Sequence, residues 1–155
     1  QRLVTLSSKL RELVGDDPLG AIVMPPVLTE EINPDFWPDF PWKEIAPIYD
    51  VWLPMSYWSF RTEEHADPYY YSGESIRLLR TFLGDPEAKV HGIGGIGLDD
   101  GTNLPDPGEP LASIDDLQAF VDSLIDTDSI GGSIYDWATT GEHSRQQLED
   151  LFADL

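Results

Sequence analysis

The sequence contains no cysteine. That excludes a disulfide framework, a thiolate-bound zinc and a cysteine nucleophile. It is also poor in cations: 9 Lys and Arg stand against 29 Asp and Glu, for a formal net charge of −20. Lys9, Lys43 and Lys89 are its only lysines. A surface this acidic repels phosphate backbones and anionic headgroups, so neither nucleic acid nor a membrane is an expected partner. No apolar run approaches the about 18 residues that a spanning helix needs. The chain opens on Gln1 with no leader pattern, so the expectation is a processed chain or a piece of a longer one.

Aromatic residues, by contrast, are plentiful: five Trp, six Tyr and six Phe in 155 residues. Several fall in loops or at the ends of apolar runs, where sugar-stacking platforms and ordinary packing both occur. The length suits one domain over 1–155 with a real core. It falls short of the about 250 residues of a complete (β/α)8 barrel.

Apolar spacing orders the chain as a helix followed by four strand–helix units. Leu6, Leu10, Leu13 and Val14 repeat at helical spacing, with Gly15 as a stop. Gly20–Met24 is a short continuous apolar run, the mark of a strand buried on both faces, and Pro25-Pro26 ends it. Residues 27–40 read as irregular, and Pro41 opens a short helix through Ala46. Ile48–Tyr57 reads as the second strand, with Pro54 better suited to a strand end or bulge. A polar loop over 61–71 leads to a helix bearing Ile76, Leu79, Phe82 and Leu83, with Ser72 as its N-cap and Gly84 and Pro86 as its stop. Lys89–Ile96 is the third strand. Ser113 and Asp116 form a capping-box start for a helix through Ile125. Ile130–Trp137 is the fourth strand, and a last helix carries Leu148, Leu151, Phe152 and Leu155.

Such alternation predicts an α/β fold built of parallel (β/α) units with four strands. Long loops follow the strands and short connections precede them, which favours half of a TIM-type barrel with its working face at the strand C-termini. A small open doubly wound sheet is the competing architecture.

Three motifs compete for a chemical reading. Gly92, Gly94 and Gly97 match the dinucleotide fingerprint GxGxxG, but Asp99 and Asp100 follow where a helix N-terminus should meet a pyrophosphate. Close backbone approach at a barrel strand explains the glycines better. Asp99, Asp100, Asn103, Asp106 and Glu109 make an oxygen-rich loop without EF-hand spacing, read as a solvated acidic loop. His65, His91 and His143 are dispersed without metal-ligand spacing, so no metal and no cofactor are expected; His91 falls within a strand and lines the interior or is a satisfied core histidine.

The second strand ends in Met55-Ser56-Tyr57, and the fourth runs Gly131-Gly132 through Tyr135-Asp136-Trp137. These segments, in this order, resemble the Met-x-Tyr-Asp and Gly-Gly-x-Met-x-Trp motifs on strands six and eight of chitinase-like family 18 glycoside hydrolase barrels, and are similar to uncharacterised bacterial barrels of glycosidase type. Trp58 stands where the family has Asp, and Trp137 lies one residue late. By this register the strand bearing the family's catalytic Glu is not in the chain. The resemblance implies a C-terminal half barrel that binds carbohydrate at its strand ends and is secreted or at the cell surface.

Within that frame Asp136 and Tyr57 are the candidate catalytic residues, as acid and hydrogen-bond donor. Met55, Trp58, Arg61, His91, Tyr135 and Trp137 are the candidate substrate-binding residues, with Trp58 and Trp137 stacking on pyranose faces and Arg61 pairing with Asp136 or Glu63. Asp50, near a strand start, is read as a structural cap or pair. A half barrel exposes two edge strands and an apolar inner face, so the upstream half of the barrel or self-association is expected. Two alternatives stay open: a non-catalytic carbohydrate-binding or cell-surface domain, and an open-sheet α/β enzyme of another class.

Overall fold

A computed structural model describes residues 1–95, 111–135, 142, 145, 146, 148 and 149. Helix α1 (Arg2–Val14) leads into β1 (Gly20–Val23), and a six-residue π-type helical segment (Val27–Ile32) occupies the start of the stretch expected to be irregular. Short helix α2 (Trp42–Ile45) precedes β2 (Val51–Ser56). Helix α3 (Pro68–Leu83), β3 (His91–Gly95), α4 (Ile114–Asp126) and β4 (Gly131–Tyr135) complete the order. Positions 142, 145, 146, 148 and 149 are helical.

All pairings are parallel, and the strands lie in the order β1-β2-β3-β4. A doubly wound sheet reverses its strand order at a switch point; this one never does. Crossovers of one hand then place every helix on the same face. The packing agrees: Ala21, Val23, Trp52 and Val90 point into one cluster with Trp42, Tyr71, Ile76, Leu79 and Phe120. The result is an open, half-barrel-like α/β fold with the described interstrand helices on one side.

Glycine lets α4 come down on the sheet. A Cβ on Gly132 would lie 2.2 Å from a methyl of Leu124, and one on Gly92 would lie 2.6 Å from its other methyl. Leu124 therefore rests on two bare strand positions, with Phe120 beside it. The glycine run is a packing surface, and Gly92–Gly95 are strand rather than a phosphate-cradling loop.

Helix ends follow local chemistry. Asp67, not Ser72, caps α3: its carboxylate accepts from Tyr70 N at 2.9 Å, and Pro68 takes the first helical position. The Asp-Pro pair outweighs a serine four residues later because proline's fixed φ suits the first turn. Ser72 is instead buried inside the helix with an unpartnered hydroxyl. α3 stops at Gly84, in the left-handed region at φ 72°. The capping box forms at α4, where Asp116 N donates to Ser113 Oγ at 3.2 Å and Ser113 N donates to Asp116 Oδ2 at 2.8 Å.

Two charged groups pin the connections below the sheet. Arg80 of α3 donates to the carbonyls of Ala88 (3.2 Å), Thr127 (2.5 Å) and Asp128 (3.1 Å), tying together the segments that enter β3 and β4. Asp50, just before β2, accepts from Leu19 N at 2.8 Å and from Arg11 at 2.5 Å. It thus fixes the entry to β1 against the entry to β2, as a structural partner.

Pro54 lies inside β2, beside Val23 of β1. Trp52 N donates to Lys89 O, so the next donor of that parity, at position 54, is missing. The β2–β3 ladder accordingly bridges at Trp52↔Val90 and resumes only at Met55↔Ile93. Proline interrupts the ladder mid-strand instead of sitting at its end.

Two predictions follow from this packing. Gly132→Ala drives a methyl into Leu124 and is expected to cost about 1–3 kcal/mol of stability, as overpacking does, read as a lower urea midpoint. The Asp50 carboxyl is held below its usual value by the Leu19 amide and then by Arg11. A depressed folded pKa supports the fold above the unfolded carboxyl value, about 3.9, and that support is lost as pH falls through the folded value. Asp50→Asn should therefore flatten the acid limb of the melting temperature below about pH 4; an unchanged limb would remove Asp50 from the account.

Candidate functional site

Helices cover one face of the sheet, so the other carries the residues of opposite parity: Ile22, Leu53, Met55, His91, Ile93, Gly95, Ser133 and Tyr135. In a closed barrel this face lines the interior. Ile22 is 64% exposed here and Tyr135 is 60% exposed.

At the C-terminal end of this face, Tyr57 and Tyr135 meet. Their ring centroids are 5.9 Å apart, with planes inclined by 29°. Tyr57 follows β2 and Tyr135 ends β4, so a whole strand lies between them. Gly95 of β3 makes the contact possible. It is the register partner of Tyr135, and a Cβ placed on it would stand 3.3 Å from Cδ1 of Tyr57. A side chain at position 95 would crowd the Tyr57 ring. Below the pair, Met55, Ile93 and Ser133 form the next row of the open face.

The other candidates scatter. Trp58 is 3% exposed and belongs to the helix side, where its ring packs 5.4 Å from Phe120 and over Gly94. It is core, and no sugar face reaches it. The reason is parity: after Ser56 turns inward toward the helices, Tyr57 takes the open side and Trp58 returns to the covered one. His91 is the first residue of β3, beside Gly131, at the opposite end of the sheet from the tyrosines. Its partial burial pushes the imidazole pKa down. Arg61 stands in the loop after β2, but its Nε donates to Tyr71 Oη at 3.1 Å and its guanidinium lies 5.7 Å from that ring. Its partner is thus a buried helix residue rather than Glu63. Asp136, Trp137, His143 and the acidic stretch 99–109 lie outside the described residues.

Loops after the strands add two aromatic side chains that motif matching passes over. Phe36, after β1, is 50% exposed, and Phe60, in a 3-10 turn after β2, is 52% exposed. The only sequence signal for them is that each is an aromatic residue in a stretch that follows a strand. Glu63, in the same loop as Phe60, holds φ at 56°, a strained value for a residue with a side chain.

Electrostatically, the open face carries no acidic side chain among the strand positions named above, although the chain's net charge is −20. Among the described residues no cluster of His, Asp and Glu is arranged to hold a metal ion, and no helix is long and apolar enough to cross a membrane. Comparison with known protein families, curated proteins and solved structures finds no match to this chain.

Proposed function

We propose that this chain binds a carbohydrate at the C-terminal ends of its strands, in the manner of a glycoside-hydrolase-like barrel. The observation that carries the reading is the Tyr57–Tyr135 pair over Gly95. Two near-parallel phenol rings give an apolar face for the C–H side of a pyranose, and each carries a hydroxyl for its polar rim. An uncharged floor of Met55, Ile93 and Ser133 suits a neutral ligand, and a site with a few placed polar groups on apolar walls is the usual form of a small-molecule pocket.

Binding without cleavage is the form of the proposal that this chain alone supports. Glycoside hydrolysis needs a carboxylic acid beside the leaving oxygen. The position where the resembled family has Asp is Trp58, which faces the core. Asp136, next to Tyr135 in sequence, is the acid in this reading, and the complementary half of a barrel supplies whatever else hydrolysis requires.

Titration with N-acetylglucosamine oligomers, followed by calorimetry and by tyrosine ring NMR signals, tests the proposal. Saturable binding is expected, without turnover of the same sugars by the chain alone. Tyr135→Ala should weaken binding at least about tenfold, or about 1.4 kcal/mol, with little change in melting temperature because the side chain is largely exposed. Absence of binding at about 10 mM sugar, some 2.7 kcal/mol of affinity, or binding indifferent to Tyr135→Ala, would sink the reading.

A further inference from the structure

All six tyrosines lie among the described residues, and one pair of their rings is in contact, Tyr57 with Tyr135. The strands that present them are two interstrand spacings apart, about 9–10 Å. Their ring centroids nevertheless stand at 5.9 Å. Both rings therefore lean inward over β3, beside Gly95. Tyr135 is 60% exposed and Tyr57 is half-buried, so a reagent in water reaches the pair. The other four are placed differently. Tyr69, Tyr70 and Tyr71 follow one another on α3, where neighbours in sequence do not face each other. Tyr71 is also buried, and Tyr49 packs against Trp52 with its hydroxyl on Ser7.

Two phenols in contact can be joined. Removing one electron and one proton from each gives a pair of phenoxyl radicals, whose unpaired spin extends to the ring carbons ortho to oxygen. Coupling there forms one C–C bond between the rings. Each of the two carbons then gives up its hydrogen as a proton and each oxygen regains one, which restores both aromatic rings and both hydroxyls. In total two protons and two electrons leave the chain. Hydrogen peroxide, acting through a one-electron oxidant of the haem peroxidase class, takes them up and becomes two waters. The chain has no cysteine, hence no thiol of its own to be oxidised first or to quench the radicals. Tyrosine's outer torsion is broad, so the exposed Tyr135 ring can swing its edge toward Tyr57 without displacing core residues.

We propose that Tyr57 and Tyr135 are an oxidative modification site, at which a dityrosine bond fastens the exit of β2 to the end of β4. The bond reaches across β3 and the seam where Pro54 interrupts the β2–β3 ladder. In a chain without cysteine it does the work of a disulfide: it links positions far apart in sequence and so removes freedom from the unfolded state. The inference does not rest on the carbohydrate reading, because it needs the ring contact alone.

The test exposes the chain, at high dilution, to hydrogen peroxide and a haem peroxidase. The expected product is a monomer that gains dityrosine fluorescence, loses two hydrogen atoms in mass and melts at a higher temperature. Peptide mapping should join the segment holding Tyr57 to the segment holding Tyr135. Tyr57→Phe and Tyr135→Phe keep the ring and lose the hydroxyl, so each should remove this product, whereas Tyr70→Phe should leave it unchanged. Fluorescence confined to dimers, a bond mapped to Tyr69 or Tyr70, or a product that survives Tyr57→Phe overturns the proposal. So does oxygen gain at Met55 without ring coupling, because the thioether below the pair would then be the group that oxidises. A joined monomer that melts no higher than the untreated chain would overturn the fastening.

Discussion

Coverage of one face by the described helices is the constraint from which the other features descend. Four parallel strands in sequential order send the crossovers to the same side, so Ala21, Trp52, Val90, Gly92 and Gly132 meet helices while Ile22, Met55 and Tyr135 point to the other face. The covered side is packed closely enough that strand glycines are needed beneath Leu124. On the open side the same glycine-rich β3 has the opposite effect. Gly95 leaves a gap across which two tyrosines touch. One composition bias on one strand thus serves helix packing on one face and ring contact on the other, because successive residues alternate sides.

The sequence foretold the fold well wherever period and punctuation agreed. Four apolar runs bounded by Gly and Pro became four strands, and the Ser113–Asp116 box formed as the capping pattern requires. Boundaries failed where two signals competed. Ser72 lost to Asp67-Pro68, whose proline fixes the first helical turn. Ile48 went into a 3-10 turn because Pro47 follows Ala46, delaying β2 until Val51. Residues 27–32 are helical rather than irregular, and nothing in their spacing separates a single π-type turn from a loop.

The candidate site was less legible. Tyr57 and Tyr135 were selected by short motifs, yet their contact depends on Gly95, and no pattern in the sequence links a glycine on β3 to rings on β2 and β4. Trp58 illustrates the reverse. It adjoins Tyr57 in a motif-like segment, but a single residue changes the face, and the indole is buried against Phe120. His91 is a half-buried residue of the open face, at the wrong end of its strand to meet the tyrosines. Direction along a strand is invisible to composition, and only the register supplies it.

Pro54 gives the sheet a mechanical grain. Where the β2–β3 ladder skips from Trp52 to Met55, the four strands divide into two pairs joined by fewer main-chain bonds than hold each pair together. Tyr57 travels with the first pair and Tyr135 with the second. The spacing between their rings is therefore set across the seam with the fewest paired residues in the sheet.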